Sequence, residues 1–152
     1  MTLDEVVKLL DADVLVGRNQ LSMEIKTAFG ADLMSDVLAF AKPGSMLLTG
    51  LTNPQVVRTA DILDIVAIIV VRGKSLPAET IQMAEELEIP ILVTKYILFE
   101  AAGRLYENGI RGCIETAFNY FQRIPSYRKA LDNQRGCSKF QIIYDYPGTV
   151  RR

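Results

Sequence analysis

Histidine is absent from the 152 residues. That removes the commonest general base at neutral pH, any Ser-His-Asp arrangement and most zinc sites. Cysteine is scarce, and Cys113 and Cys137 cannot hold a metal by themselves. They can pair with each other, although two thiols in a cytoplasmic chain are more often free. No apolar run reaches the roughly 18 residues of a membrane span. The acidic start Met1-Thr2-Leu3-Asp4-Glu5 lacks the basic-then-apolar order of a secretory signal, so a cytoplasmic location is the expectation. A glycine-rich phosphate loop is missing too. Gly73-Lys74-Ser75 follows an apolar run, but Ile68 stands where a P-loop needs its first glycine.

What is present suits one globular domain with a real core: 49% apolar and 23% charged residues. The net charge of −1 hides an asymmetry. Residues 1–110 carry 9 Lys and Arg against 15 Asp and Glu, a net of −6, whereas residues 111–152 carry 8 against 3, a net of +5. A basic tail can meet nucleic acid, an anionic partner, or the acidic body of its own or a second subunit. No aromatic-basic groove pattern accompanies these charges, so nucleic acid is not the expected partner.

The pattern along the chain alternates. Thr2 and Glu5 have capping-box spacing ahead of a helix over residues 2–10. Asp13–Gly17 reads as a first strand and Glu24–Phe29 as a short second one, ended by Gly30. Asp32 is read as the N-cap of a helix carrying Leu33, Val37, Leu38 and Ala41, with Asp36 near the positive end of its dipole. Met46-Leu47-Leu48 is a buried strand that runs into Thr49-Gly50-Leu51-Thr52-Asn53-Pro54. There Gly50 is read as freeing a sharp turn, Asn53 as an N-cap and Pro54 as the first helical residue. The next helix carries Val56, Val57, Ala60, Ile62 and Leu63. Val66–Val71 is apolar throughout, as a central parallel strand should be. A helix from Pro77 to Leu87, a strand over Ile89–Thr94 and a helix with Ile97, Leu98, Ala101, Ala102 and Leu105 follow, stopped by Asn108-Gly109. Beyond residue 111 the rhythm breaks. Ile114, Ala117, Phe118 and Phe121 suggest a helix, Lys139–Tyr144 an edge or intersubunit strand, and Tyr144–Gly148 a turn. Tyr127, Tyr144 and Tyr146 read as core or dimer contacts. The expected fold is α/β: a three-layer, mostly parallel sheet flanked by helices, with a C-terminal helix/strand extension.

Ligands of open parallel sheets bind beyond the carboxyl ends of the strands. The turns Thr49–Asn53, Arg72–Ser75 and Thr94-Lys95 should meet at that edge. They bring hydroxyls, an amide, backbone N–H groups and the cations Arg72, Lys74 and Lys95. The candidate ligand-binding residues are therefore Thr49, Gly50, Thr52, Asn53, Arg72, Gly73, Lys74, Thr94 and Lys95, joined by Asp32 and Ser35 from the preceding loop and helix. The same turns are also polar because they face water. The carboxylate pairs Asp32/Asp36 and Asp61/Asp64 read as caps and surface charge, and Ser22, Ser35 and Ser45 have no evident base. No catalytic residue, metal site or cofactor is assigned.

Three blocks in this order carry a family resemblance. They are Ala31-Asp32-Leu33-Met34-Ser35-Asp36-Val37-Leu38, the strand with its Thr-Gly-Leu-Thr-Asn-Pro turn, and Ala67–Pro77 followed by Ile-Pro-Ile-Leu-Val-Thr. Over residues 2–110 the chain resembles the DRTGG domain. The resemblance implies an α/β domain that stands alone or joins other modules. It accompanies CBS domains in some pyrophosphatases, similar domains precede phosphotransacetylase catalytic domains, and it is similar to the N-terminal domain of HPr kinase/phosphorylase. The kinase P-loop of that enzyme belongs to a separate domain, so kinase activity is not implied here. Where the family often has Asp-Arg after the strand's glycine, this chain has Leu51-Thr52-Asn53. Where it has Thr-Gly-Gly, this chain has Arg72-Gly73-Lys74.

The resulting expectation is a DRTGG-like domain over residues 1–110 and a basic extension over 111–152 that packs on the same domain or on a dimer partner. The expected function is non-catalytic regulation or ligand sensing, with a small anionic metabolite or nucleotide at the C-terminal sheet edge and a homodimer as the assembly. A pure interaction module is the first alternative, and an enzyme of phosphate or acyl metabolism the second.

Overall fold

The computed structural model describes residues 1–115. Helix α1 (Leu3–Leu9) opens on a reciprocal capping box. Thr2 Oγ1 accepts the Glu5 N–H at 3.3 Å, and the Glu5 carboxylate accepts the Thr2 N–H at 2.7 Å. Strand β1 (Asp13–Val16) ends at Gly17, which turns the chain at φ +89° into a short 3-10 helix over Arg18–Gln20. Then β2 (Thr27–Gly30), α2 (Met34–Phe40), β3 (Met46–Thr49), α3 (Pro54–Ile62), β4 (Ala67–Val70), α4 (Ala78–Glu86), β5 (Ile91–Val93), α5 (Leu98–Glu107) and β6 (Arg111–Gly112) follow in order.

The six strands form one sheet in the order β1-β5-β4-β3-β2-β6. Only β1 runs antiparallel to its neighbour; the other pairs are parallel. Leu47 of β3 stands between Phe29 of β2 and Ile68 of β4. Every residue of β3 and β4 is buried, which requires helices on both faces of the sheet. Successive side chains supply the two cores. Leu3, Val6 and Leu10 at α1, with Ala101 and Leu105 of α5, pack on Met46, Leu48, Ala67, Ile69 and Leu92. On the other face Val37 of α2, Val56, Val57 and Ala60 of α3 and Ala84 of α4 pack on Leu47, Ile68, Val70 and Ile91. The three-layer, mostly parallel α/β architecture read from the sequence is the architecture observed.

Some local expectations shift. The second strand begins at Thr27, and Glu24 makes only an isolated bridge to Thr2. Leu33, Leu38, Ile62 and Ile97 were expected on apolar helix faces but are 60, 48, 70 and 58% exposed. A helix lying on a sheet seals a narrow stripe, and residues at its ends or one position off that stripe stay outside it. Arg111–Gly112 falls in the expected extension yet forms β6 beside β2, closing the far edge of the sheet. The helix expected to run on through Phe121, the 139–144 strand, the 144–148 turn, Tyr127, Tyr144, Tyr146 and Cys137 lie outside the described residues. Among the described residues no helix is long and apolar enough to cross a membrane.

Candidate functional site

Helices α2, α3 and α4 share one face of the sheet and α5 lies on the other. The connections that leave the adjacent strands β4 and β5 therefore part to opposite faces. Such a switch point marks the ligand crevice of an open parallel sheet. Here two backbone bonds stitch the crevice shut. The Arg72 N–H donates to Tyr96 O at 2.9 Å, and the Gly73 N–H donates to Thr94 O at 2.8 Å. Arg72 and Gly73 both take positive φ, +69° and +60°, to make those bonds. Their N–H groups are spent on the protein and do not face a ligand.

The charged part of the edge lies one strand over, where Asp32, Arg72 and Lys74 surround Gly50. Asp32, from the loop after β2, reaches the end of β3. Its Oδ1 accepts the Gly50 N–H at 2.6 Å and the Thr49 hydroxyl at 3.1 Å. Asp32 is thus not the helix cap expected of it. Leu33 occupies the N-cap position of α2, with no side-chain cap. A carboxylate there satisfies a buried strand-end N–H instead, and such a group costs about 1–3 kcal/mol when left unpaired. Thr49 Oγ1 also accepts the Leu51 N–H at 3.2 Å, so this buried hydroxyl serves the turn itself.

Gly50 bears on the site through its lack of a side chain and not through turn geometry, because its φ is not in the left-handed region. A Cβ there would fall on Nη2 of Arg72 and stand 2.7 Å from its Cζ. The guanidinium of Arg72 lies directly over Gly50, with Nη2 3.7 Å from Asp32 Oδ2. On the other side of the same residue, Lys74 Nζ donates to Gly50 O at 2.7 Å. An Asp–Arg pair is thus assembled from the β2 and β4 loops, although Leu51-Thr52-Asn53 lacks one in sequence.

The candidate residues divide cleanly. Asp32, Thr49, Gly50, Arg72 and Lys74 converge. Thr52 is tied in through its carbonyl, which accepts the Thr80 hydroxyl at 2.7 Å. Asn53 takes the N-cap position of α3 with an extended backbone, but its side chain makes no capping bond and is exposed. Lys95 is exposed, with its chain beside Gly73. Ser35 is exposed in the first turn of α2 and bonds to none of this cluster. Thr94 turns away: its buried hydroxyl donates to Leu10 O at 2.6 Å and accepts the Tyr96 N–H at 3.3 Å. Thr80 and Tyr96 support the site without having been expected to. Thr80 was hidden by its place on a helix, and Tyr96 acts through its carbonyl, which no side-chain motif reveals. Among the described residues no group of His, Cys, Asp and Glu could hold a metal ion.

The fold and this edge define an open α/β domain, mostly parallel, whose loops gather charged groups at the carboxyl ends of its strands. The chain belongs to the DRTGG domain family, which matches residues 5–107. It is 30% identical over 106 residues to the uncharacterised protein YtoI of Bacillus subtilis (strain 168), a match covering 69% of this chain and 24% of that protein. Its fold is similar to the crystal structure of the CBS and DRTGG domains of the regulatory region of Clostridium perfringens pyrophosphatase, complexed with its activator diadenosine tetraphosphate. The TM-score is 0.58 at 19% identity, over 68% of this chain and 45% of that one. The chain thus spans about a quarter of the Bacillus protein and under half of the Clostridium chain.

Proposed function

We propose that this protein is a non-catalytic regulatory domain that senses a small anionic metabolite or nucleotide at the C-terminal edge of its sheet. One observation carries the reading: Arg72, Lys74 and Lys95 come to one edge, beside the carboxylate of Asp32. The surrounding residues 1–110 carry a net charge of −6, so a cationic edge is not the chain's average surface. Helix α3 starts at Pro54 in the same turn, with Asn53 in the cap position, and a helix start favours an anion. The Clostridium regulatory region, with its nucleotide activator, supports ligand sensing as the general role. Thermal-shift screening with nucleotides and phosphorylated metabolites tests the proposal. A rise in melting temperature that is lost in Lys74→Ala and Asn53→Ala is expected. Silence from every compound would remove the site.

A second reading, a homodimer, is favoured by Ile97 and Phe99, which stand 58 and 85% exposed at the start of α5. Two large apolar groups left exposed within three residues of each other are available to an interface. Light scattering on the full chain should give twice the monomer mass and fall to the monomer in Phe99→Glu. A monomeric wild type would end this reading.

A further inference from the structure

We infer that the ligand is gripped through a phosphate-type oxyanion by Arg72 and Lys74, and that Asp32 is a built-in competitor for Arg72. This rests on the ligand-edge reading above and adds the chemistry of the ligand and the control of the site.

The argument begins with unspent donors. The Arg72 guanidinium makes no side-chain hydrogen bond among the described residues. Its contact with Asp32, at 3.7 Å, is an ion pair beyond hydrogen-bond reach. A guanidinium carries five N–H donors and an ammonium three, and Lys74 has spent one of its three on Gly50 O. Both heads are nonetheless placed. Arg72 lies over Gly50 because that residue has no side chain, and Lys74 is tethered to the Gly50 carbonyl. A planar fork beside a point cation suits an anion with three or more oxygens, which is the recognition chemistry of phosphate.

Asp32 occupies the partner's place without depending on Arg72. Its Oδ1 is anchored by Gly50 and Thr49, while Oδ2 faces the guanidinium. The carboxylate therefore stays where it is when Arg72 turns to a ligand. Two cations opposed by one fixed anion leave a net charge of +1. A phosphate dianion outbids the carboxylate for Arg72, and a monoanionic carboxylate does not.

Calorimetric titration of the full 152-residue chain at low salt tests this, with inorganic phosphate, pyrophosphate and ATP as probes and acetate as the carboxylate control. The phosphate probes should bind and acetate should not. Arg72→Ala and Arg72→Lys should each weaken binding about tenfold or more, the worth of a charge-assisted pair. Gly50→Ala should do the same by displacing the guanidinium. Asp32→Asn keeps an acceptor for Gly50 and Thr49 and should tighten binding of a phosphate dianion about sevenfold, the effect of removing one charge roughly 7 Å away in a water-like medium. Equal affinity for pyrophosphate and ATP would place recognition in the phosphates alone, and tighter ATP would add nucleoside contacts; both support the grip. Phosphate binding unchanged in the Arg72 variants, or weakened by Asp32→Asn, would overturn this inference and leave the ligand edge standing. Binding of acetate as tight as phosphate would overturn the oxyanion assignment. No binding of any probe to the wild type would remove both.

Discussion

Thr94 separates a scaffold from a binding site, because its residue type and position suit either role. Thr94 is 1% exposed, and its hydroxyl joins two segments 84 residues apart, donating to Leu10 O at 2.6 Å where α1 ends. It also accepts the Tyr96 N–H at 3.3 Å. Thr94→Val keeps the shape and removes both bonds. The Leu10 carbonyl then faces a methyl group in a dry interior, and the Tyr96 N–H loses its acceptor. Each unpaired buried group costs about 1–3 kcal/mol, and Tyr96 sits nearer solvent, so a loss of about 2–4 kcal/mol is expected. At roughly 4 °C per kcal/mol for a domain of this size, the melting temperature should fall by about 8–16 °C. Urea denaturation followed by circular dichroism gives the free energy, and Thr94→Ser, which restores the hydroxyl, should recover most of it. A valine variant as stable as the wild type but weaker in ligand binding would refute the reasoning and return Thr94 to the binding site.

Two glycines provide a second comparison. Gly17 and Gly44 both have positive φ, +89° and +81°, but a Cβ at Gly17 would lie 2.8 Å from the Pro90 side chain, whereas Gly44 faces open space. Alanine at Gly44 should cost about 1–2 kcal/mol for the backbone alone, and alanine at Gly17 distinctly more; equal losses by denaturation would contradict the close packing. At the N-terminus, the backbone hydrogen bond from Thr2 holds the Glu5 carboxyl below its ordinary value. Its stabilising effect is therefore complete above the ordinary glutamate value and lost as pH falls through the depressed one. An NMR titration of the Glu5 carboxyl should show the lowered midpoint, and Glu5→Gln should flatten the acid limb of the stability curve; an unshifted midpoint would mean that the capping box is open in solution.

Much of this fold is legible because its signals are local. Met46–Thr49 and Ala67–Val70 are unbroken apolar runs of strand length, and strands of that kind have to be central. Thr2 and Glu5 declare a capping box by spacing alone. What escapes the sequence depends on partners far along the chain. A two-residue strand such as Arg111–Gly112 has no period to read. Asp32 has the chemistry of a helix cap, and only the folded sheet brings the Gly50 N–H within its reach. Gly50 looks like a turn residue, yet its small size serves a guanidinium 22 positions later. The meeting of the edge loops was predictable from the β-α alternation. The division of their side chains between scaffold and surface was not, because Thr49, Thr94 and Thr52 are chemically alike and differ only in where the sheet points them.

The most direct test of a ligand edge is a map of amide shifts. In the 15N-labelled 152-residue chain titrated with ATP or diadenosine tetraphosphate, signals of Gly50, Thr52, Asn53, Gly73 and Lys95 should move together and saturate with one affinity. Shifts confined instead to Met1, Glu5, Lys8 and Asn108, which line an open depression between α1 and the end of α5, or no shifts at millimolar ligand, would contradict the account.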